Sequence, residues 1–422
     1  MRTTGVVTTI VLLGARLALG APVQITSNSF HDLHPELDGS TVVWQGEVNS
    51  ANYEVFWSDL SQATPPVTQI TTNTVHDTYP HVDGTTVVWQ GEERRATPPP
   101  LTYEIFQYDT GTTATAQITN NGVDDLKPRV SGANIVWRDD AGTGTGGTIY
   151  LDSGGGPVMI GNPANLEREV RVDGSNVVWR GNDGDPEIFH YDIGTSTLTQ
   201  ITNEPAATAI FEDRNPAVNG TKVVWTAEYR AAPGTSEIYL YDLSAPSPVP
   251  TALTGYGPGV AGMDGAQVDD SSGYVVWYGA ATPTTDQEIY LYDLNNPGAA
   301  INISNRPLLS DKNPQISGSL VVWQGIEVGT YGDEFEIFLY DIHSGITYQL
   351  THNDTGYDDQ EPKIDGMNIV WQGRDPQGSD LEIFYFDATE LFQEPIPEPS
   401  SLAMLWLGAV GLLASAWRRR RR

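Results

Sequence analysis

The chain has 422 residues, with 54 Asp and Glu against 22 Lys and Arg, for a formal charge of −32. Such a surface repels nucleic acid phosphates and anionic lipid headgroups, so neither is expected as a partner. Cysteine is absent, which excludes disulfides, thiolate zinc sites and a cysteine nucleophile.

Residues 1–21 read as an export signal: Arg2, then the apolar run VVTTIVLLGARLALGA, then Pro22, with Arg16 as an interruption. From residue 22 to 392 one pattern recurs eight times. Each copy reads approximately P-x-V-D-G-x-x-V-V-W-Q-G, then E-I-F-x-Y-D, then Q-I-T-N. Its anchors are Trp44, Trp89, Trp137, Trp179, Trp225, Trp277, Trp323 and Trp371, spaced by 45, 48, 42, 46, 52, 46 and 48 residues. A four-stranded unit at that period predicts an all-β protein, a β-propeller of eight blades, with seven as the alternative count because the third and sixth copies are degenerate.

Within a copy, the Asp-Gly pair predicts a two-residue hairpin turn with both central residues at positive φ. The V-V-W run is apolar on both faces, as a strand between two neighbouring blades must be. The chain opens with Val23-Gln24-Ile25-Thr26, an outermost strand without inner partners. It closes the repeat region with PKIDG, NIVWQG and EIFYFD, three strands without an outermost one. The first strand is therefore expected to complete the last blade and remove an open sheet edge.

The C-terminal segment, 393–422, contains Pro397-Glu398-Pro399, then SLAMLWLGAVGLLASAW, then Arg418 to Arg422. The apolar run is close to the shortest length that spans a bilayer, and the arginines are expected to remain cytoplasmic. This order of elements resembles a PEP-CTERM sorting signal. The resemblance implies a Gram-negative bacterium, a transient inner-membrane anchor, and an exosortase-type transpeptidase that passes the protein to the cell surface or extracellular matrix. A plain C-terminal anchor would also leave the body outside the cytoplasm.

The repeat itself resembles TolB-like propellers, also found in prolyl-oligopeptidase-type enzymes. It is still more similar to the P-x-I-x-G-x-x-V-V-W and I-Y-x-Y-D repeats of surface-layer-type proteins. That resemblance implies the fold over 22–390 and leaves activity open.

Chemistry is expected on the face that carries the variable loops. An acid recurs there three residues before the blade proline: Asp32, Asp77, Asp125, Glu167, Asp213, Asp311 and Asp359, with Asp264 a loose match. These carboxylates are expected around the channel mouth. Either each caps a turn and repeats because the blade repeats, or several converge on Ca²⁺ or another hard divalent cation. Histidine is scarce. His31, His34, His76 and His81 lie in equivalent segments of blades 1 and 2, and His352 leads into blade 8, their neighbour after ring closure. Imidazoles beside acids suit Zn²⁺ or Mn²⁺, or acid–base work; duplication also explains them. Resemblance to TolB-like propellers bears on this, because some are polyuronate lyases with a histidine-held metal over the channel. The Glu that opens each third strand and the Asp that ends it are expected to be structural.

No G-x-S-x-G elbow, P-loop or dinucleotide fingerprint is present. Two functions follow as expectations. One is a non-enzymatic, surface-sorted binding or scaffold protein whose ligand is matrix polysaccharide, another surface protein or cations. The other is a metal-dependent uronate lyase or hydrolase that uses the His/Asp loops of blades 8, 1 and 2.

Overall fold

A computed structural model describes residues 21–392, apart from 50–51, 95–100, 141–146, 162–166, 183–184, 204–209, 233, 256–261, 281–285, 307–308, 329–332, 353–356 and 375–379. The export signal, the sorting motif and the apolar run behind it lie outside the described residues.

Eight four-stranded antiparallel sheets form a ring of eight blades. Blade 1 has the strands Asp32–Asp38, Thr41–Asn49, Asn52–Asp59 and Thr68–Gln69. Blades 2 to 7 begin at Asp77, Asp124, Arg168, Phe211, Asp264 and Asp311. Blade 8 takes Asp359–Asp365, Asn368–Arg374 and Leu381–Asp387 from the end of the chain and Val23–Gln24 from its start. Val23 pairs with Tyr385 and Gln24 with Phe384. The Ile25 amide then donates to the Ile383 carbonyl at 2.8 Å. The N-terminal strand thus closes the ring, as the order of strands within each copy requires. Both degenerate copies form complete blades.

The eight tryptophans are the largest fully buried side chains. Each stacks on the aromatic residue opposite it on the third strand, from Trp44–Phe56 to Trp371–Phe384, with ring centroids 5.7–6.1 Å apart. Burying one indole removes on the order of 200 Å² from water, which stabilises the ring by about 5 kcal/mol. The valines before it are sandwiched between blades: Val42 and Trp44 pack with Val370 and Ile383 of blade 8.

The Asp-Gly turns differ from expectation. Asp38 is the last paired residue of its strand, opposite Thr41, and only Gly39 has positive φ, at 55°. The pairing register makes Gly39 and Ser40 the two loop residues and leaves Asp38 at the end of the strand, with its carboxylate free to reach the next blade. Asp38 Oδ2 accepts the Gly84 amide of the next blade at 2.6 Å. The same bond recurs around the whole ring at 2.5–3.0 Å, with Ser or Asn in place of Asp in some blades, and it crosses the closure as Gly39 N to Asp365. One face is therefore belted by eight blade-to-blade hydrogen bonds.

Candidate functional site: the central channel

The repeated acids are structural where their contacts are defined. Asp32, Asp77, Asp125, Asp213, Asp311 and Asp359 are at most 5% exposed. Each accepts the indole N–H of the tryptophan twelve residues later, at 2.8–3.1 Å. They are buried inside the blades and do not stand free at the channel mouth, because a buried indole N–H needs an acceptor. In blades 1 to 3 the second carboxylate oxygen accepts Asn28, Asn73 and Asn121, each four residues earlier. In blade 7 Arg306 Nη1 instead shares Asp311 Oδ1 with the Trp323 indole, at 3.1 Å, and the second oxygen is buried without a hydrogen-bond partner. The glycine of W-Q-G follows from the same packing: a Cβ on Gly46 would lie 2.7 Å from Asp32 Oδ1.

Two blades break this rule. In blade 4, Glu167 instead accepts the Ile149 amide at 3.1 Å, and the Trp179 N–H is unpaired. In blade 6 the position belongs to Met263, because the hairpin before Trp277 is longer, and the Trp277 N–H is also unpaired. Asp264, the loose match, is the following residue. It accepts Asn215 at 2.9 Å and Thr226 at 3.0 Å.

Burial raises Asp32, Asp77 and Asp311 to about 7 and Asp125 to about 6. The third-strand Glu of the preceding blade adds to the rise: Glu382, Glu54, Glu288 and Glu104, respectively. The third-strand glutamates are themselves buried, at 0–9% exposure. The Asp that ends the third strand accepts the amide two residues on, as in Asp59–Ser61 and Asp192–Gly194, which is the structural role expected of it.

The histidines have separate partners. His31 Nδ1 accepts the Leu381 amide at 2.9 Å. His76 packs against Tyr53 in a tilted arrangement, with centroids 5.7 Å apart. His352 lies 3.2 Å from Glu327 in blade 7. His34 Nδ1 bonds Glu361 at 2.7 Å across the blade 8–1 boundary, a bond that raises its pKa. His81 accepts the Val130 amide at 3.3 Å, and burial, then Arg129, holds it down to about 3. Among the described residues no group of three or more His, Asp or Glu is placed to hold a metal ion.

Of these histidines, only His34 and His81 belong to the surface that the repeat leaves free to vary. Each first strand contains a β-bulge, and the bulge residue has positive φ in all eight blades: His34, Tyr79, Lys127, Glu169, Asn215, Gly265, Asn313 and Glu361. Two residues on stand Glu36, His81, Arg129, Arg171, Ala217, Gln267, Gln315 and Lys363. Ten of these residues line one cavity of about 340 Å³ where the first strands of six blades meet. By the repeat register the others hold the same places in the remaining blades. The bulges are locked between blades, since Gln372, Gln45, Gln90 and Gln324 of W-Q-G accept the amides of His34, Tyr79, Lys127 and Glu361 at 2.8–3.0 Å. Sequence reasoning missed these two rings. Their signal was the variable residue on either side of the blade proline.

Electrostatically the channel is unlike the outer surface. Lys363 pairs with Glu36 at 3.1 Å. Burial pushes Glu36 up, but Lys363, then Arg129 and His81, overcome it and hold the carboxyl down to about 2. Burial within the ring, then Arg129, brings Arg171 down to about 10.

Residues 395–421 match the PEP-CTERM protein-sorting motif. No curated protein sequence matches the chain. Several solved structures share the fold. The β-propeller domain of the Trilobed protease from Pyrococcus furiosus superposes with a TM-score of 0.50 at 11% identity, over 86% of this chain and 94% of that one. An oligogalacturonate lyase from Vibrio parahaemolyticus gives 0.50 at 13% identity, over 88% and 94%. A prolyl endopeptidase gives 0.54 at 10% identity, over 82% and 55%. At such identities the likeness is one of fold alone. Among the described residues no helix is long and apolar enough to cross a membrane. The motif marks the protein for export and for processing by an exosortase-type enzyme. The chain is thus an eight-bladed β-propeller protein that bears a PEP-CTERM sorting motif at its C-terminus.

Proposed function

We propose that the protein is a non-enzymatic binding or scaffold protein of the cell envelope or extracellular matrix, and that it binds its ligand in the central channel. One observation carries this reading. The constant residues of the repeat are engaged in holding the ring together, whereas the two rings of residues facing the channel differ from blade to blade. A ligand site needs such diversity on a rigid frame. The export signal at 1–21, cleavage beside Pro397-Glu398-Pro399 and a transient membrane anchor belong to the same proposal. A matrix polysaccharide or another surface protein is the partner class it implies.

The lyase reading is kept as an outcome of the test, because His34 lines the channel with Glu36 and Glu361, and His81 holds in blade 2 the place that Glu36 holds in blade 1. The experiment offers the full-length protein a panel of acidic and neutral polysaccharides, with and without Mn²⁺ or Ca²⁺, and follows both retention and release of unsaturated uronate. Retention without product supports the binding role. Metal-dependent product that His34→Ala and His81→Ala abolish overturns it in favour of the lyase.

A further inference from the structure

From the channel electrostatics we infer that the wall formed by blades 3 and 4 is an oxyanion site, built to take a carboxylate or phosphate group. This rests on the channel being the binding site and names the chemistry of its ligand.

Outside the two end segments the chain has only 15 Lys and Arg. Four of them gather here: Lys127, Arg129, Arg138 and Arg171. Lys127 is the bulge residue of blade 3 and Arg129 stands two residues on. Arg171 holds the Arg129 position in blade 4. Arg138 holds the W-Q-G glutamine position of blade 3. The first strands of blades 3 and 4, Asp124–Ser131 and Arg168–Asp173, pack against each other and bring these side chains to one wall, and Lys127 is held below its ordinary value by burial, then by Arg138, Arg129 and Arg171.

Among the described residues none of the four forms an ion pair. Arg129 and Arg171 each donate only to the carbonyl of the preceding residue, Pro128 and Val170, at 3.1 and 3.0 Å. Arg138 Nη1 is buried without a hydrogen-bond partner. Glu36 and Glu169 offset them in part at longer range, but the nearby carboxylates have closer partners of their own. Glu36 is on Lys363, Glu169 is 3.5 Å from Arg180, and Glu361 is on His34. Arg138 is offset by the charges of Asp140, Asp139 and Asp124, and the last two also accept the amides of Thr148 and Tyr103.

Like charges so close repel one another, and an acidic protein has carboxylates in excess to pair with them. Cations gathered with no direct carboxylate partner, one of them lining the cavity, are explained by an anion that belongs there. Arginine forks match the two oxygens of a carboxylate or phosphate, and a lysine adds a point charge. Arg129 also lines the 340 Å³ cavity, which places the site where a ligand can reach it from the channel.

The test uses full-length protein in detergent and three probes: inorganic phosphate, a galacturonate tetramer and a neutral glucose tetramer. Calorimetry is expected to show binding of at least one anion that weakens as salt rises, with no binding of the neutral sugar. Phosphate alone identifies a phosphate group as the source, and galacturonate alone a glycan carboxylate. Arg129→Gln and Arg171→Gln are each expected to lose about tenfold or more in affinity. Lys222→Gln, in a blade 5 ion pair, is expected to retain it. Melting temperature provides a second readout. The bound anion should raise the melting temperature of wild type and leave that of the two arginine variants unchanged. The site is overturned if neither anion binds, if both variants bind as wild type does, or if the neutral sugar binds equally. Retention of a neutral polysaccharide with no anion bound would leave the channel a binding site and remove the oxyanion assignment.

Discussion

Asp77 gives the sharpest test of the buried carboxylates. Its ordinary value of 3.8 rises to about 7 in the folded ring, through burial and then the adjacent Glu54. A raised folded-state value means that the folded protein holds this proton more tightly than the unfolded chain does. The stability it supports is complete below pH 3.8 and is lost as pH rises to about 7. Between pH 5 and pH 8 the loss is about 2 pK units, or roughly 2.7 kcal/mol. Asp77→Asn removes the titration. It also sets an amide N–H₂ against the Asn73 amide, which now donates to Asp77 Oδ2. That conflict is independent of pH, so the readout is the slope and not the absolute stability. The difference in melting temperature, variant minus wild type, is measured at pH 5, 6, 7 and 8. It is expected to move in the variant's favour by about 3–5 °C across the range, taking roughly 1–2 °C per kcal/mol for a body of this size. A difference that stays flat from pH 5 to pH 8, or falls, would refute the claim that Asp77 is protonated in the fold near neutrality.

Three further perturbations follow from the same contacts. Trp89→Phe and Trp179→Phe remove equivalent indoles, but only Trp89 donates to an Asp. Urea unfolding is expected to show Trp89→Phe the more damaging by about 1–3 kcal/mol, the cost of orphaning a buried acceptor. Gly46→Ala places a methyl group 2.7 Å from both Asp32 Oδ1 and the Phe56 ring, and is expected to cost about 1–3 kcal/mol. Gly111→Ala meets nothing closer than 3.4 Å and should leave unfolding unchanged. Deleting residues 21–26 strips the edge of Leu381–Asp387, so light scattering should report self-association and a lower melting temperature. A monomer of unchanged melting temperature would contradict the role of the first strand.

The fold was legible because propeller blades repeat the same solution to the same problem. An indole needs an acceptor, the acceptor needs a glycine beneath it, and the hairpin needs a glycine at positive φ, so D, W-Q-G and D-G recur together. Ring closure was legible for a related reason: Val23–Thr26 has the form of an outermost strand but the position of a first one. The partners within the pattern were not legible, because they cross from blade to blade. Nothing in the sequence states that Asp38 caps Gly84, or that Gln372 reaches His34 across 338 residues of chain.

The functional surface was hidden by the very signal that revealed the fold. Recurrence drew attention to Asp32, Asp77 and their equivalents, and recurrence is what a structural role produces in a closed ring. A central channel is a single feature shared by all blades, so a ligand there breaks the eightfold pattern and its residues need not repeat. Lys127, Arg129 and Arg171 sit at positions where the other blades carry residues as different as His, Tyr, Asn, Gln, Gly, Ala, Glu and Lys, and so read as noise along the chain. Charge composition concealed them as well. A net charge of −32 is a sum over the whole chain and says nothing of how charge is placed in the channel. With a screening length of about 8 Å at physiological salt, what an incoming ligand meets inside the ring is set by the few groups within that distance. On the wall of blades 3 and 4 Lys127, Arg129 and Arg171 outnumber the one acid, Glu169, so a protein whose composition repels anions still presents an attractive wall to one.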